Sequence, residues 1–94
     1  MDAAGVAAVL RQRIHVIREC YEAALLVDRR LHGRLDVQFT IDASGRISRI
    51  STRGFAETPA FTECVVRVLV PLQFPQPEGG SVEFSFPFNF HPER

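Results

Sequence analysis

The chain has 94 residues with a formal net charge of zero, 46% hydrophobic, 10% aromatic and 23% charged residues. That length gives one domain, 1–94, with a single core, and the composition is that of a folded globular chain, not a disordered or fibrous one. All eleven basic residues are arginine and they are balanced by acids, so no basic field gathers phosphates and nucleic acid is not an expected partner.

The start, Met1-Asp2-Ala3-Ala4-Gly5, carries no basic or apolar signal region, and no apolar run approaches the roughly 20 residues of a membrane span. Two origins fit: a cytoplasmic chain, or a piece of a longer protein whose signal or membrane helix lies upstream. From Val6 to about Leu31, apolar residues at Val6, Val9, Leu10, Ile14, Ile17, Tyr21, Ala24 and Leu25 keep the spacing of an amphipathic helix. Arg29 and Arg30 then meet the negative end of the helix dipole, and Gly33 can supply a left-handed stop.

Leu35, Val37, Phe39 and Ile41 alternate with Asp36, Gln38 and Thr40, the signature of a half-buried strand. Asp42-Ala43-Ser44-Gly45 supplies a turn into a second strand from Arg46 to about Thr52. Ile47 and Ile50 differ in parity there, which predicts a bulge or twist. Thr58 before Pro59 reads as an N-cap followed by proline at the first helical position. Phe61, Val65, Val68 and Leu69 form the stripe of this second helix, and Pro71 ends it. Residues 74–80, rich in proline and glycine, connect to the last strand.

In that strand Val82, Phe84, Phe86, Phe88 and Phe90 alternate with Ser81, Glu83, Ser85, Pro87 and Asn89. Pro87 has no N–H, so the strand belongs at the border of its sheet. The expected fold class is α+β in the order α-β-β-α-β. A helical crossover makes the third strand parallel to the second, giving an antiparallel three-stranded sheet of order 2-1-3 with both helices on one face.

Little in the chain offers chemistry. Cys20 and Cys64 sit at apolar positions of the two helices and admit two readings. A bridge would close a long loop, worth roughly 4 kcal/mol in the chain-entropy picture, and would imply an oxidising compartment. Alternatively they are small buried hydrophobes that never meet. No Cys-x-x-Cys spacing supports a thiol enzyme. His15, His32 and His91 are scattered without metal-ligand spacing, and Asp42–Gly45 lacks the later oxygen ligands of a calcium loop. Gly79-Gly80 precedes a strand, where a phosphate cradle must follow one. No catalytic constellation is legible, so the expectation is a non-enzymatic protein with no cofactor, no metal and no small-molecule substrate.

The alternating phenylalanines are expected to be mostly core, which moves interest to the strand's backbone. Alternate residues direct their N–H and C=O groups to opposite edges, so Pro87 assigns Ser81, Glu83, Ser85 and Asn89 to the free edge. An open, ordered edge is where another chain adds a strand.

Several motifs together resemble one family. They are Glu19-Cys20-Tyr21-Glu22, residues 33–42 (GRLDVQFTID) with Gly45-Arg46-Ile47, Glu63-Cys64-Val65, and Phe74-Pro75-Gln76-Pro77 leading to Gly79-Gly80 and Phe86-Pro87-Phe88-Asn89-Phe90. The chain from about Ile14 to Pro92 thereby resembles the AgmX/PglI C-terminal domain family, a branch of TonB C-terminal domains. The resemblance implies a periplasmic domain of a longer protein, tethered to the inner membrane, in a system that passes energy or force toward the outer membrane. For the AgmX type the setting is gliding motility. It matches the family's cysteines to Cys20 and Cys64 and so implies the disulfide. It also implies that an extended segment of a cell-envelope protein pairs with the last strand, at Ser81, Val82, Glu83, Phe84, Ser85, Phe86 and Asn89. Pro87 departs from TonB in interrupting the main-chain row, so a bound strand is expected to be short or confined to Ser81–Ser85. The alternative is a structural role, a homodimer paired through the same edge.

Overall fold

The computed structural model describes residues 3–92; Met1, Asp2, Glu93 and Arg94 lie outside the described residues. The elements are α1 (Ala3–Arg11), α2 (Ile14–Leu25), β1 (Gly33–Ile41), β2 (Ile47–Arg53), α3 (Pro59–Leu69) and β3 (Val82–Phe90). The sheet order is β2-β1-β3, with β1 antiparallel to both neighbours. The expected α+β architecture and strand order are therefore observed, with one helix more than the sequence suggested.

The difference lies in residues 6–31, which the periodicity read as one helix. The chain breaks after Arg11: the Gln12 N–H is shared between the Ala8 and Val9 carbonyls, and the Arg13 N–H bonds Leu10 at 3.0 Å in the tighter i to i−3 pattern. No glycine or proline marks the place. Both halves keep one buried stripe, Val6 and Leu10 on α1, then Ile17, Cys20 and Tyr21 on α2, so the hydrophobic period runs through a bend it cannot reveal. Ile14, which that period assigned inward, is 41% exposed.

The exit of α2 is also corrected. The helix closes at Leu25, and Leu26 and Val27 in the following turn are almost fully exposed. Tyr21 donates its hydroxyl hydrogen bond to the Leu31 carbonyl, tying the descending chain to the helix, and burial, with the Asp28 carboxylate second, raises its pKa. Gly33 is not the helix stop but the first residue of β1. At φ +146° it lies under the Phe55 ring, where an added Cβ would come within 3.4 Å of Cζ.

Leu35, Val37, Phe39 and Ile41 of β1 are buried on one face, and all three helices contribute to the same core. The opposite face of β1 is polar. The predicted irregularity in β2 is present: Thr40 pairs with Arg49 but Ile41 with Ile47, which leaves Ser48 as the extra residue and lets Ile47 and Ile50 both lean on the core. Pro59 opens α3 as expected, whereas the Thr58 hydroxyl does not cap it; that hydroxyl donates to the Phe55 carbonyl at 3.2 Å.

Two clasps hold these layers. Asp42 Oδ1 accepts from the Ser44 hydroxyl and N–H and from the Arg46 N–H, closing the β1–β2 turn. That turn is pinned to the connection after α3: Phe74 N–H donates to the Gly45 carbonyl at 2.8 Å and Gln73 Nε2 to the Ser44 carbonyl at 2.8 Å. Gly45, at φ +87°, cannot carry a side chain there because a Cβ would collide with the Phe74 carbonyl. The connection is thus core at its start: Phe74 is 2% exposed and stacks on Phe39 with centroids 5.7 Å apart. The second clasp is a disulfide between Cys20 of α2 and Cys64 of α3, Cα atoms 5.8 Å apart, which realises the bridged reading.

Two predictions follow from the clasps. The Ser44 hydroxyl first, then the Arg46 N–H, hold the Asp42 carboxyl below the usual carboxylate range. A depressed folded-state pKa contributes stability that is full above the unfolded-state value and is lost as pH falls through the folded-state one. Thermal melts of the native chain and Asp42→Ala should therefore differ most near neutrality and converge in acid; a gap independent of pH would refute this. For the disulfide, closing a loop of 44 residues is worth about 4 kcal/mol. Urea titration of Cys64→Ala should show a loss of that order, and the native denatured, non-reduced chain should show no free thiol.

Candidate partner-binding edge

A three-stranded sheet has two free edges, and here they differ. β2 is seven residues long, carries the bulge at Ser48, and presents exposed Arg49 and Arg53, devices that blunt an edge against pairing. β3 is nine residues long and pairs with β1 from Gly33↔Phe90 to Ile41↔Val82 without a register shift. It is the straighter, longer edge.

Parity decides which of its residues are open. In an antiparallel sheet each residue of the central strand sends both backbone groups to one side. Asp42, continuing β1, donates to the Arg46 carbonyl across the β1–β2 turn at 2.8 Å, so the even residues of β1 face β2 and the odd ones face β3. The odd residues of β1 pair with the even residues of β3. Glu83, Ser85, Pro87 and Asn89 thus turn their backbone groups outward, and the missing N–H of Pro87 falls on the free edge, where it breaks no ladder bond.

The structure places the sequence-assigned positions on one strand but on two faces. Ser81 is exposed and lies one residue ahead of β3; Glu83, Ser85 and Asn89 are exposed on the open, polar face. Val82, Phe84 and Phe86 point to the helix face and are only half-buried, and among the phenylalanines expected in the core Phe88 alone is fully buried, at 6%. The reason is geometric: the helices centre on β1, and an edge strand receives half a cover.

What fastens β3 is aromatic. Phe90 lies 5.0 Å from Tyr21, 5.0 Å from Phe61 and 5.9 Å from Phe55, centroid to centroid, and Phe55 and Phe61 meet edge to face at 5.0 Å. Such pairs contribute roughly 0.5–1.5 kcal/mol each beyond burial, enough to hold a strand that is bonded along one side only. Phe84 stacks on Phe39 at 6.2 Å near the other end.

The half cover leaves a groove that sequence reasoning missed. It has a volume of about 550 Å³ and runs between α2 and β3, lined by Ile14, Ile17, Tyr21 and Leu25 on one side and Phe86 to His91 on the other, with Arg18 and Glu22 on its helical rim. The available signal was the stripe of helix one, which continued through Ile14 while the strand offered more apolar side chains than two helices can cover. A second, smaller concavity of about 300 Å³ lies on the polar sheet face among Arg34, Asp36, Gln38, Ser51, Thr52, Arg53 and Ser85, where Arg34 Nε bonds Asp36 at 2.7 Å.

His15, His32 and His91 are exposed, and His32 Nδ1 lies 2.8 Å from the Arg30 carbonyl. Among the described residues no three His, Cys, Asp or Glu side chains come together as metal ligands, and no helix is long and apolar enough to cross a membrane.

These features define a small α+β domain built on an open-edged, three-stranded antiparallel sheet. It is similar in fold to TonB C-terminal domains. The solution structure of the Pseudomonas aeruginosa TonB C-terminal domain matches with a TM-score of 0.55 at 25% identity, covering 76% of this chain and 76% of that one. The Helicobacter pylori TonB C-terminal domain matches with a TM-score of 0.53 at 20% identity, over 88% of this chain and 83% of that one, a likeness that speaks to fold alone. No protein-family model and no curated protein matches the chain, so the AgmX/PglI resemblance rests on its motifs.

The parity assignment predicts a split in amide exchange along β3. Amides of Glu83, Ser85 and Asn89 should exchange faster than those of Val82, Phe84, Phe86 and Phe88 by roughly two orders of magnitude. Uniform protection in native-state hydrogen exchange would refute it.

Proposed function

We propose that the chain is a non-enzymatic, periplasmic protein-interaction domain of a TonB-like energy or force transducer. It takes an extended segment of a cell-envelope protein as a fourth strand on the free edge of β3. The observation that carries the reading is that edge: a nine-residue strand in unbroken register, with Glu83, Ser85 and Asn89 exposed beside outward-facing backbone groups, in a fold similar to TonB C-terminal domains. The edge is firm, because the aromatic cluster around Phe90 holds the strand, and pre-organisation lowers the entropy an added strand must overcome.

The expected contact set is Ser81, Val82, Glu83, Phe84, Ser85, Phe86 and Asn89. Main-chain pairing runs from Ser81 to Ser85 before Pro87 withdraws a donor. The disulfide supports an oxidising compartment, and the motif resemblance supports an AgmX-type gliding setting on a parent protein tethered in the inner membrane. Pairing of two copies through the same edge is the competing reading. Pro87 weighs against it, since antiparallel pairing about Ser85 sets Glu83 of each copy against Pro87 of the other and leaves a carbonyl unmet twice.

The test removes one outward donor. A photo-crosslinking amino acid at Ser81 should capture an envelope protein in cells, and Ser85→Pro should abolish that capture while shifting the melting temperature of the purified domain little, because Pro87 already occupies the same parity. Capture that persists in Ser85→Pro refutes strand addition. Capture only of a second copy of the chain, with a dimer in sedimentation, establishes the competing reading.

A further inference from the structure

The groove between α2 and β3 and the exposed Glu83 belong to one surface, and together they restrict what an added strand can be. A strand laid on the free edge of β3 alternates its side chains between the two faces of the sheet. On the helix face the groove waits beside that edge: Ile17 and Tyr21 form its buried floor, Phe86 and Phe88 its strand wall, and the 41% exposed Ile14 its mouth. A volume of about 550 Å³ accommodates a bulky side chain without rearrangement. On the other face Glu83 is exposed, and among the described residues the one ion pair is Arg34–Asp36, so Glu83 stands without a cation.

We infer that the partner segment is amphipathic and carries a bulky apolar side chain for the groove and a cation for Glu83, three residues apart. This rests on the reading of β3 as a strand-accepting edge. The spacing follows from register. The residue opposite Glu83 projects to the polar face and the residue opposite Phe86 to the helix face, three positions along. An even spacing puts both groups on one face and forfeits one of them. A spacing of five, reaching opposite Phe88, requires pairing past Pro87, where the donor row is broken. A second copy of β3 fits this description poorly: about the two-fold at Ser85 it offers Glu83 a proline, not a cation.

The test uses synthetic peptides of the length of β3 in a Thr/Ser/Gln host, each with one Lys and one Phe at spacings of two, three or four in both orders. Binding is read by fluorescence anisotropy on the oxidised domain. The spacing of three in one order should bind roughly tenfold tighter than two or four, and replacing its Phe by Ala should remove about the same factor. Ile14→Glu should weaken the Phe peptide and leave the Ala peptide unchanged; Glu83→Arg should weaken the Lys peptide several-fold and favour one with Glu in its place. Equal affinity at all spacings, or indifference to Ile14→Glu, overturns the inference. If binding is then still lost in Ser85→Pro, strand addition survives without the groove. If no peptide binds, or sedimentation shows a dimer that peptides do not dissociate, both readings fall.

Discussion

The alternation of β1 is the constraint on which the remaining architecture hangs. It is the strand with a neighbour on each side, and its odd residues Leu35, Val37, Phe39 and Ile41 are buried while its even ones face the polar side. That one row forces every helix to a single face, since no apolar row exists on the other for a second layer to cover. It also fixes hydrogen-bond parity outward. Once odd residues of β1 face β3, even residues of β3 must face β1, and the odd residues of β3 are left open. The tolerance of Pro87 is a consequence: moved by one residue, the same proline would remove a ladder bond and place its ring on the core face.

The core is consequently lopsided. It is densest over β1, where Phe39, Phe74, Leu35 and Ile41 are closed to solvent, and thins toward both edges. The two edges meet this thinning differently. β2 folds inward through the Ser48 bulge, which brings Ile47 and Ile50 to the same side, and shields its border with arginines. β3 keeps an unbroken register, is fastened by the Phe90 cluster at one end and by Phe84 on Phe39 toward the other, and leaves Phe86 half-covered between them. The disulfide matters to this asymmetry because Cys20 lies between Ile17 and Tyr21, which floor the groove. Tying α2 to α3 ties the helix that forms one wall of the groove to its neighbour on the same face of the sheet.

Much of this was legible in the residues. The parities of β1 and β3, the position of Pro87 and the mismatch of Ile47 with Ile50 gave the strands, their order and the bulge, because period-two patterns carry face and register together. The helical region misled in a specific way. A bend at Gln12-Arg13 leaves no local signal when the apolar stripe keeps phase across it, and no side chain there breaks helices, so a continuous period does not require a continuous helix. Gly33 and Thr58 carry local propensities that the tertiary structure puts to other uses: Gly33 opens β1 under the Phe55 ring, and the Thr58 hydroxyl donates to the Phe55 carbonyl. Phe74 hid in a proline-rich run, where periodicity has no meaning, yet it is among the most buried side chains because the Gly45 carbonyl accepts its N–H and draws it under the sheet end. The groove was illegible for a different reason: it is an absence of cover, set by how far three helices reach, and no residue encodes it alone.

An exposed edge with an apolar face beside it is ordinarily a hazard, since it invites pairing with any strand, including its own copy. Pro87 bears on both sides of that conflict. Ahead of it, from Ser81 to Ser85, the backbone row is complete and can accept a strand; at it, the row stops. The groove, however, lies alongside Phe86 to His91, past most of the intact row. Main-chain affinity and side-chain burial are thereby staggered along the strand, overlapping only around Phe86. Under the proposed strand addition, a segment with the right side chain at that junction gains from both, whereas an unselected strand, including the symmetric copy, gains a few hydrogen bonds and leaves a carbonyl unmet against Pro87. Stagger of this kind lets an edge stay open to one class of segment while remaining a poor template for general association, and it needs only the position of a single proline relative to the end of the helical cover.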